Sequence, residues 1–207
     1  MNYIRKRKLE MSQKYQQNEK KISSNLDDYV LQEKIGSGSF GKVYKVKNKI
    51  TKDIYAAKIS IELIDETTSE LFLNISREIN IIAKLNHPSV LKFILFSPIN
   101  FKKKLKPVII TEYASNGTLK DLIYFRKSKN FNDTQKLIII YGIASAMLYL
   151  HSHNIIHRDL KPENILINNC LFPKIADFGL SKINEPNFIN TTINTIKGTP
   201  IYISPEI

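Results

Sequence analysis

His157-Arg158-Asp159-Leu160-Lys161-Pro162-Glu163-Asn164, followed a short strand later by Asp177-Phe178-Gly179, is the stretch on which the reading of this chain turns. It sets two carboxylates, an amide and a lysine on two neighbouring loops. Phosphoryl transfer to a hydroxyl calls for such a set. One carboxylate orients the hydroxyl and accepts its proton. The other carboxylate and the amide hold Mg²⁺ against the phosphates, and the lysine stabilises charge on the transferring group.

Upstream, Gly36-Ser37-Gly38-Ser39-Phe40-Gly41-Lys42-Val43 joins two strand-like runs, Tyr29 to Ile35 and Lys42 to Lys47. Glycines let the backbone approach phosphate oxygens and present N–H groups to them. A lone GxGxxG is weak, since glycine turns between strands are common and a dinucleotide site uses a similar string. Context separates the cases: a dinucleotide fingerprint opens a helix, whereas this one opens a strand. A third strand, Ile54 to Ile59, carries Lys58 in an otherwise apolar setting.

A helix is predicted over about Thr68 to Leu85, with Phe72, Ile75, Ile79 and Ile82 on one buried stripe. His87-Pro88 stops it, because a residue before proline is pushed out of the α region. Strands near Leu91 to Leu95 and Val108 to Tyr113 complete a first part made of an antiparallel sheet and one helix. The second part is mainly helical. Asn132-Asp133-Thr134-Gln135 has the form of a capping box, and its helix runs to about His151. Two short strands follow the loop at Asp159, around Ile165 to Ile167 and Pro173 to Ala176, and then a polar loop leads to Glu206.

Taken in this order, the glycine loop, Lys58, His157-Arg158-Asp159, Asn164 and Asp177-Phe178-Gly179 resemble a eukaryotic protein kinase from about Tyr29 to the end of the chain. The resemblance implies an α+β, two-lobed fold. Its N-lobe, about 29–113, holds the sheet and one helix; the hinge is about 112–117; the C-lobe, about 118–207, is helical and incomplete. Residues 1–28 are read as a basic mobile extension. ATP and Mg²⁺ are the implied cofactors, and a protein is the implied acceptor.

By the same resemblance Asp159 is the catalytic base and Lys161 contacts the γ-phosphate. Lys58 binds the α- and β-phosphates and pairs with Glu78. Gly36, Ser37, Gly38 and Gly41 cover the phosphates. Ile35, Val43, Ala56 and Leu166 belong to the nucleotide site, with Val43 and Ala56 as apolar lids on adenine. Thr111 is a small gatekeeper, the backbone of Glu112 and Ala114 bonds the base, and Asn164 and Asp177 hold the metal. Plainer readings exist: Val43 and Ala56 as strand core, Lys58 as an exposed lysine, Glu78 as a surface glutamate beside Glu70. The complete set in the correct order favours the functional one. A non-catalytic nucleotide-binding or scaffold module is the alternative of a different class.

Lys161-Pro162-Glu163 and Gly198-Thr199-Pro200 agree with Ser/Thr acceptors, and Asn86 to Leu119 looks most like the tyrosine-kinase-like group. Arg158 and Lys182 are ready partners for a phosphate on the loop after Asp177. Thr191, Thr192 and Thr195 are the regulatory candidates there.

Composition agrees with this reading. The chain has 207 residues, 43% hydrophobic and 24% charged, enough for a real core. Cys170 is the single cysteine, which fits a reducing, cytoplasmic setting. The net charge of +12 is spread over the whole chain, so no specific nucleic-acid partner is expected. Arg5-Lys6-Arg7-Lys8 is a weak nuclear-import or lipid-binding signal, and no apolar leader or membrane span is read. The family continues past the position of Ser204-Pro205-Glu206, whereas this sequence stops at Ile207. The expectation is a fragment with little activity alone, whose apolar helix faces call for further helices or a partner.

Overall fold

The structure, a computed structural model, describes residues 25–38, 41–61, 75, 78–124, 132–183 and 198–203. Expectations placed on Arg5 to Lys8, Ser39, Phe40, Phe72, Thr191, Thr192, Thr195 and Ser204 to Glu206 lie outside the described residues. The chain divides into two compact units, 1–76 with 93–113 and 77–92 with 114–207. Residues 77–92, which the sequence places in the first part, cluster with the second.

The first unit is a five-stranded sheet of β1 (Tyr29–Gly38), β2 (Gly41–Asn48), β3 (Ile54–Ser60), β4 (Phe93–Ser97) and β5 (Val108–Glu112). All pairs are antiparallel, in the order β1-β2-β3-β5-β4. Its strands are rich in Val, Ile, Tyr and Phe, which suit a pleated, half-buried surface. Side chains alternate across the pleat. Ala57 therefore points into the core with Val46, Val108 and Ile110, all fully buried, while Ala56 and Lys58 share the opposite face. Burying each of Val46, Val108 and Ile110 contributes on the order of 1.5–3 kcal/mol.

The chain is tied to the sheet just before β1 begins. Asn25 caps a single 3₁₀ turn, Leu26–Asp28, through a reciprocal capping box with Asp28. Leu26 is the physical reason: it is 6% exposed and joins Tyr29 in the core, anchoring the end of the extension to the sheet.

In the second unit, residues 78–82 are helical, and Ile79, Ile81 and Ile82 are buried. Then come α1 (Leu119–Tyr124) and α2 (Asp133–Ser152). Two small antiparallel pairs follow: β6 (Ile155–Ile156) with β9 (Lys182–Ile183), and β7 (Ile165–Ile167) with β8 (Pro173–Ile175). β9 lies inside what the sequence leaves as polar loop.

The start of α2 is fixed by its cap. The Asn132 side chain accepts from Gln135 N at 2.8 Å, and Gln135 Oε1 accepts from Asn132 N at 3.1 Å. Ile139, Gly142, Ala146 and Leu150 form its buried stripe at helical spacing, and Ile139 packs with Leu122, Ile165 and Ile167. Gly142 permits the closest approach. A Cβ there would lie 2.6 Å from Pro173 Cγ and 2.9 Å from Ser89 Oγ. Leu137, Ile140, Tyr141 and Leu148 are exposed on the same helix. Among the described residues, no helix is long and apolar enough to cross a membrane.

Candidate active site

On the first unit, strand register assembles half of the expected set. Gly36 pairs with Val43, Ser37 with Lys42 and Gly38 with Gly41, so the glycine segment is the tip of the β1–β2 hairpin. Across the next pair Val43 stands opposite Lys58, and across β3–β5 Ala56 stands opposite Thr111. Two-residue periodicity then puts Val43, Ala56, Lys58 and Thr111 on one sheet face. Ile35 lies at an irregularity of β1, between the Lys34–Tyr44 and Gly36–Val43 pairs, and is exposed. Glu112 ends β5, and its carbonyl accepts a hydrogen bond from Thr111 Oγ1 at 3.2 Å.

On the second unit the loop after β6 is held by its histidine. His157 is 1% exposed. Its Nε2 donates to the Ala176 carbonyl at 3.0 Å, and its ring meets Phe178 edge-on at 5.1 Å. Burial lowers its pKa, more than the Ala176 carbonyl and the Asp177 and Asp159 carboxylates raise it. Ser181 Oγ donates to the His157 carbonyl at 3.2 Å, and Arg158 Nε donates to the Leu180 carbonyl at 2.5 Å. His157, Arg158, Phe178, Leu180 and Ser181 thus bind the loop at Asp159 to the loop at Asp177.

Asp159 stands at the centre of a closed polar ring. Lys161 Nζ is 2.8 Å from its Oδ2, and Asn164 Nδ2 donates to Oδ2 at 2.9 Å and to the Asp159 carbonyl at 2.8 Å. Thr199 Oγ1 donates to Oδ1 at 2.7 Å, while Lys161 Nζ donates to Thr199 Oγ1 at 2.6 Å. Burial pushes the Asp159 carboxyl up, but the hydrogen bonds from Lys161, Thr199 and Asn164 outweigh it and hold the group below the usual carboxylate range. The Asp159 carboxylate is therefore ionised and oriented at neutral pH.

Thr199 comes close because Gly198 precedes it. Gly198 has φ +131°, and a Cβ there would sit 2.6 Å from the Arg158 carbonyl oxygen. Arg158 and Asp177 themselves hold left-handed backbone, with φ +64° and +62°. Such conformations in non-glycine residues collect at functional sites.

Asn164 and Asp177 are brought together through the backbone, since Ala176 N donates to the Asn164 carbonyl at 2.9 Å. Asn164 is 8% exposed, and directing its amide N–H₂ to Asp159 leaves Oδ1 as an acceptor. Glu78 joins from residues 78–82: a Cβ on Gly179 would lie 3.5 Å from Asp177 Oδ1 and 3.9 Å from Glu78 Oε2. Lys58 belongs to the first unit and Glu78 to the second. Leu166 bridges to Thr118, and residues 116–117 pair with Ile167 at 2.8 and 2.9 Å, which places residues 116–118 beside β7.

An amide oxygen and a carboxylate are hard donors that suit Mg²⁺. Among the described residues, no group of three or more His, Cys, Asp or Glu is placed to hold an ion by itself. Sequence reasoning missed the contacts of Thr199. The signal available was the Gly198-Thr199-Pro200 string, which it used only for acceptor class.

Residues 29–207 match the family model of the protein kinase domain. The chain belongs to the protein kinase family. It is 40% identical over 189 residues to an Aurora kinase of Saccharomyces cerevisiae, covering 89% of this chain and 48% of that protein. It is 39% identical over 180 residues to NUAK family SNF1-like kinase 1 of Mus musculus, covering 86% and 26%. To serine/threonine-protein kinase 36 of Pongo abelii it is 35% identical over 182 residues, covering 88% and 13%. The chain spans about half or less of the length of these relatives. Their names do not support the tyrosine-kinase-like group expected from Asn86 to Leu119.

Proposed function

We propose that this chain supplies the catalytic core of an ATP-dependent protein kinase acting on Ser and Thr hydroxyls. The observation that carries the proposal is the ring of Asp159, Lys161, Asn164 and Thr199, complete and mutually hydrogen-bonded. Each carboxylate oxygen has two acceptor positions, so Asp159 Oδ1 can bind Thr199 and still receive an acceptor hydroxyl. The hydroxyl oxygen bonds to the γ-phosphorus as the bond from phosphorus to the ADP oxygen breaks. Its proton passes to Asp159, and ADP leaves with the other electron pair.

Lys161, tied to both Asp159 and Thr199, keeps a positive charge beside the transferring group. Asn164 and Asp177 would hold Mg²⁺, which offsets phosphate charge when bound. Lys58, supported by Glu78, would bind the α- and β-phosphates beneath the β1–β2 hairpin, with adenine against Val43 and Ala56. The relatives named serine/threonine kinases support the acceptor class. The alternative, a non-catalytic nucleotide-binding module, is disfavoured by the intact ring at Asp159. The test is transfer of labelled γ-phosphate from ATP to a generic protein substrate by the whole protein. Asp159→Asn is expected to abolish it while nucleotide binding persists. Equal transfer by Asp159→Asn would overturn the proposal.

A further inference from the structure

His87, read from the sequence as part of a helix stop and of the Asn86 to Leu119 stretch, occupies a polar joint that the ring at Asp159 does not use. It lies between residues 78–82, which carry Glu78, and Val90, which bridges Ile175 two positions before Asp177. Ile175 N donates to the Ser89 carbonyl at 2.8 Å and Leu91 N to the Ile175 carbonyl at 2.9 Å, so the turn is hydrogen-bonded directly to β8. Ser89 N donates to His87 Nδ1 at 3.1 Å. Nε2 lies 3.2 Å from Ser145 Oγ of α2. The ring stacks on Tyr149 at 5.0 Å and 29°, and Tyr149 OH accepts from Asn86 N at 3.0 Å.

These contacts fix the proton. Nδ1 must be bare to accept from Ser89, so the hydrogen sits on Nε2 and the ring is neutral. A second proton on Nδ1 would face the Ser89 N–H, donor against donor.

We propose that His87 is a proton-operated positioning residue: neutral, it pins residues 86–90 to α2; protonated, it releases Ser89 and loosens the β8 end that leads into Asp177. Burial first, and the charge of Lys174 on β8 second, lower the pKa of His87 from its ordinary 6.5. The neutral pin is therefore fully present above the ordinary value and is lost as pH falls below it. The groups facing the ring are Ser145 and Tyr149 of α2 and Lys174 of β8, with His153 on the far side of Tyr149 at 4.3 Å.

The test is amide exchange at Ser89 in the full chain, expressed as protection relative to the intrinsic rate. Between about pH 7.5 and about pH 5.5 wild-type protection is expected to fall about tenfold, as a lost hydrogen bond of about 1.4 kcal/mol requires. His87→Asn offers Oδ1 to the Ser89 N–H and does not titrate, so its protection is expected to stay flat. His87→Phe keeps the stack and is expected to be unprotected at both values. His153→Gln is expected to behave as wild type. A wild-type profile without the fall, or the same fall in His87→Asn, overturns the proposal. Should His87→Asn not fold, ring titration of wild-type His87 decides: its midpoint must coincide with that of the Ser89 amide shift, and unequal midpoints overturn the proposal.

Any effect on turnover rests on the kinase reading. In that case acid is expected to lower wild-type transfer more than His87→Asn transfer. Absence of transfer in every variant, with the exchange pattern intact, counts against the kinase reading alone.

Discussion

Thr199 donates its hydroxyl hydrogen to Asp159 Oδ1 at 2.7 Å across 40 positions of sequence, and Thr199 Oγ1 in turn accepts from Lys161 Nζ at 2.6 Å. The orientation of the Asp159 carboxylate is thus set by a residue on the segment after Gly198 as well as by its own loop. Thr199→Ala is expected to lower kcat about a hundredfold with a smaller change in KM for ATP, because misplacing a catalytic group by about 1 Å has that effect. Thr199→Ser, which keeps the hydroxyl, is expected to retain most of the rate. Steady-state kinetics on the pair checks this, and equal rates for Ala and Ser would contradict it.

On the proposed role of Lys58 as a phosphate clamp, Lys58→Met is expected to reduce phosphotransfer by at least about a hundredfold. Thermal stability should change little, because Lys58 lies on the face opposite the buried Ala57. Transfer assays with a melting curve on the same preparation separate the two effects. Undiminished transfer would remove Lys58 from the mechanism.

Gly198→Ala should destabilise the loop around Asp159. Its Cβ would meet the Arg158 carbonyl oxygen at 2.6 Å, and its φ of +131° is strained for any L side chain. A loss of roughly 1–3 kcal/mol is expected for strain at such a position. Chemical denaturation of wild type and variant measures it, and a change within about 0.5 kcal/mol would show that the segment yields freely.

Acid should act through buried histidine before it acts through the Asp159 carboxylate. His157 has a folded-state pKa lowered chiefly by burial, so the stability it contributes is complete above the ordinary 6.5 and is lost as pH falls below it. Asp159 is also lowered, against the 3.8 of a free carboxyl, so its contribution persists to much greater acidity. The melting temperature is expected to decline from about pH 6.5 downward while Asp159 remains ionised. A flat profile between about pH 7 and about pH 5 would refute the assignment to histidine.

Phosphoamino-acid analysis of the products is expected to give phosphoserine and phosphothreonine. Predominant phosphotyrosine would contradict the acceptor class drawn from Lys161 and Thr199.

The site was legible where chemistry demands a residue type at a spacing. Glycines at a hairpin tip, a lysine in an apolar strand and the Asp159–Asn164 and Asp177 strings could be read without coordinates, and register then put Val43, Ala56, Lys58 and Thr111 on one face. The start of α2 was legible because Asn132 and Gln135 cap reciprocally. α1 was missed because six residues containing Lys120 and Asp121 give too short an apolar period to read. β6 and β9, two residues each, carry no period at all. His87 looked like a helix stop because its partners, Ser145 and Tyr149, are 58 and more positions away; pairings of that range leave no local pattern.

Arg158 illustrates how selection on this protein would behave. Its left-handed φ of +64° costs about 1 kcal/mol that glycine at the same place would not incur. A laboratory screen rewarding heat resistance alone would still gain little there, because Arg158→Gly relaxes the backbone but forfeits the Arg158 Nε hydrogen bond to the Leu180 carbonyl, worth at least as much. Strain and tie are carried by one residue, so neither can be selected away without the other.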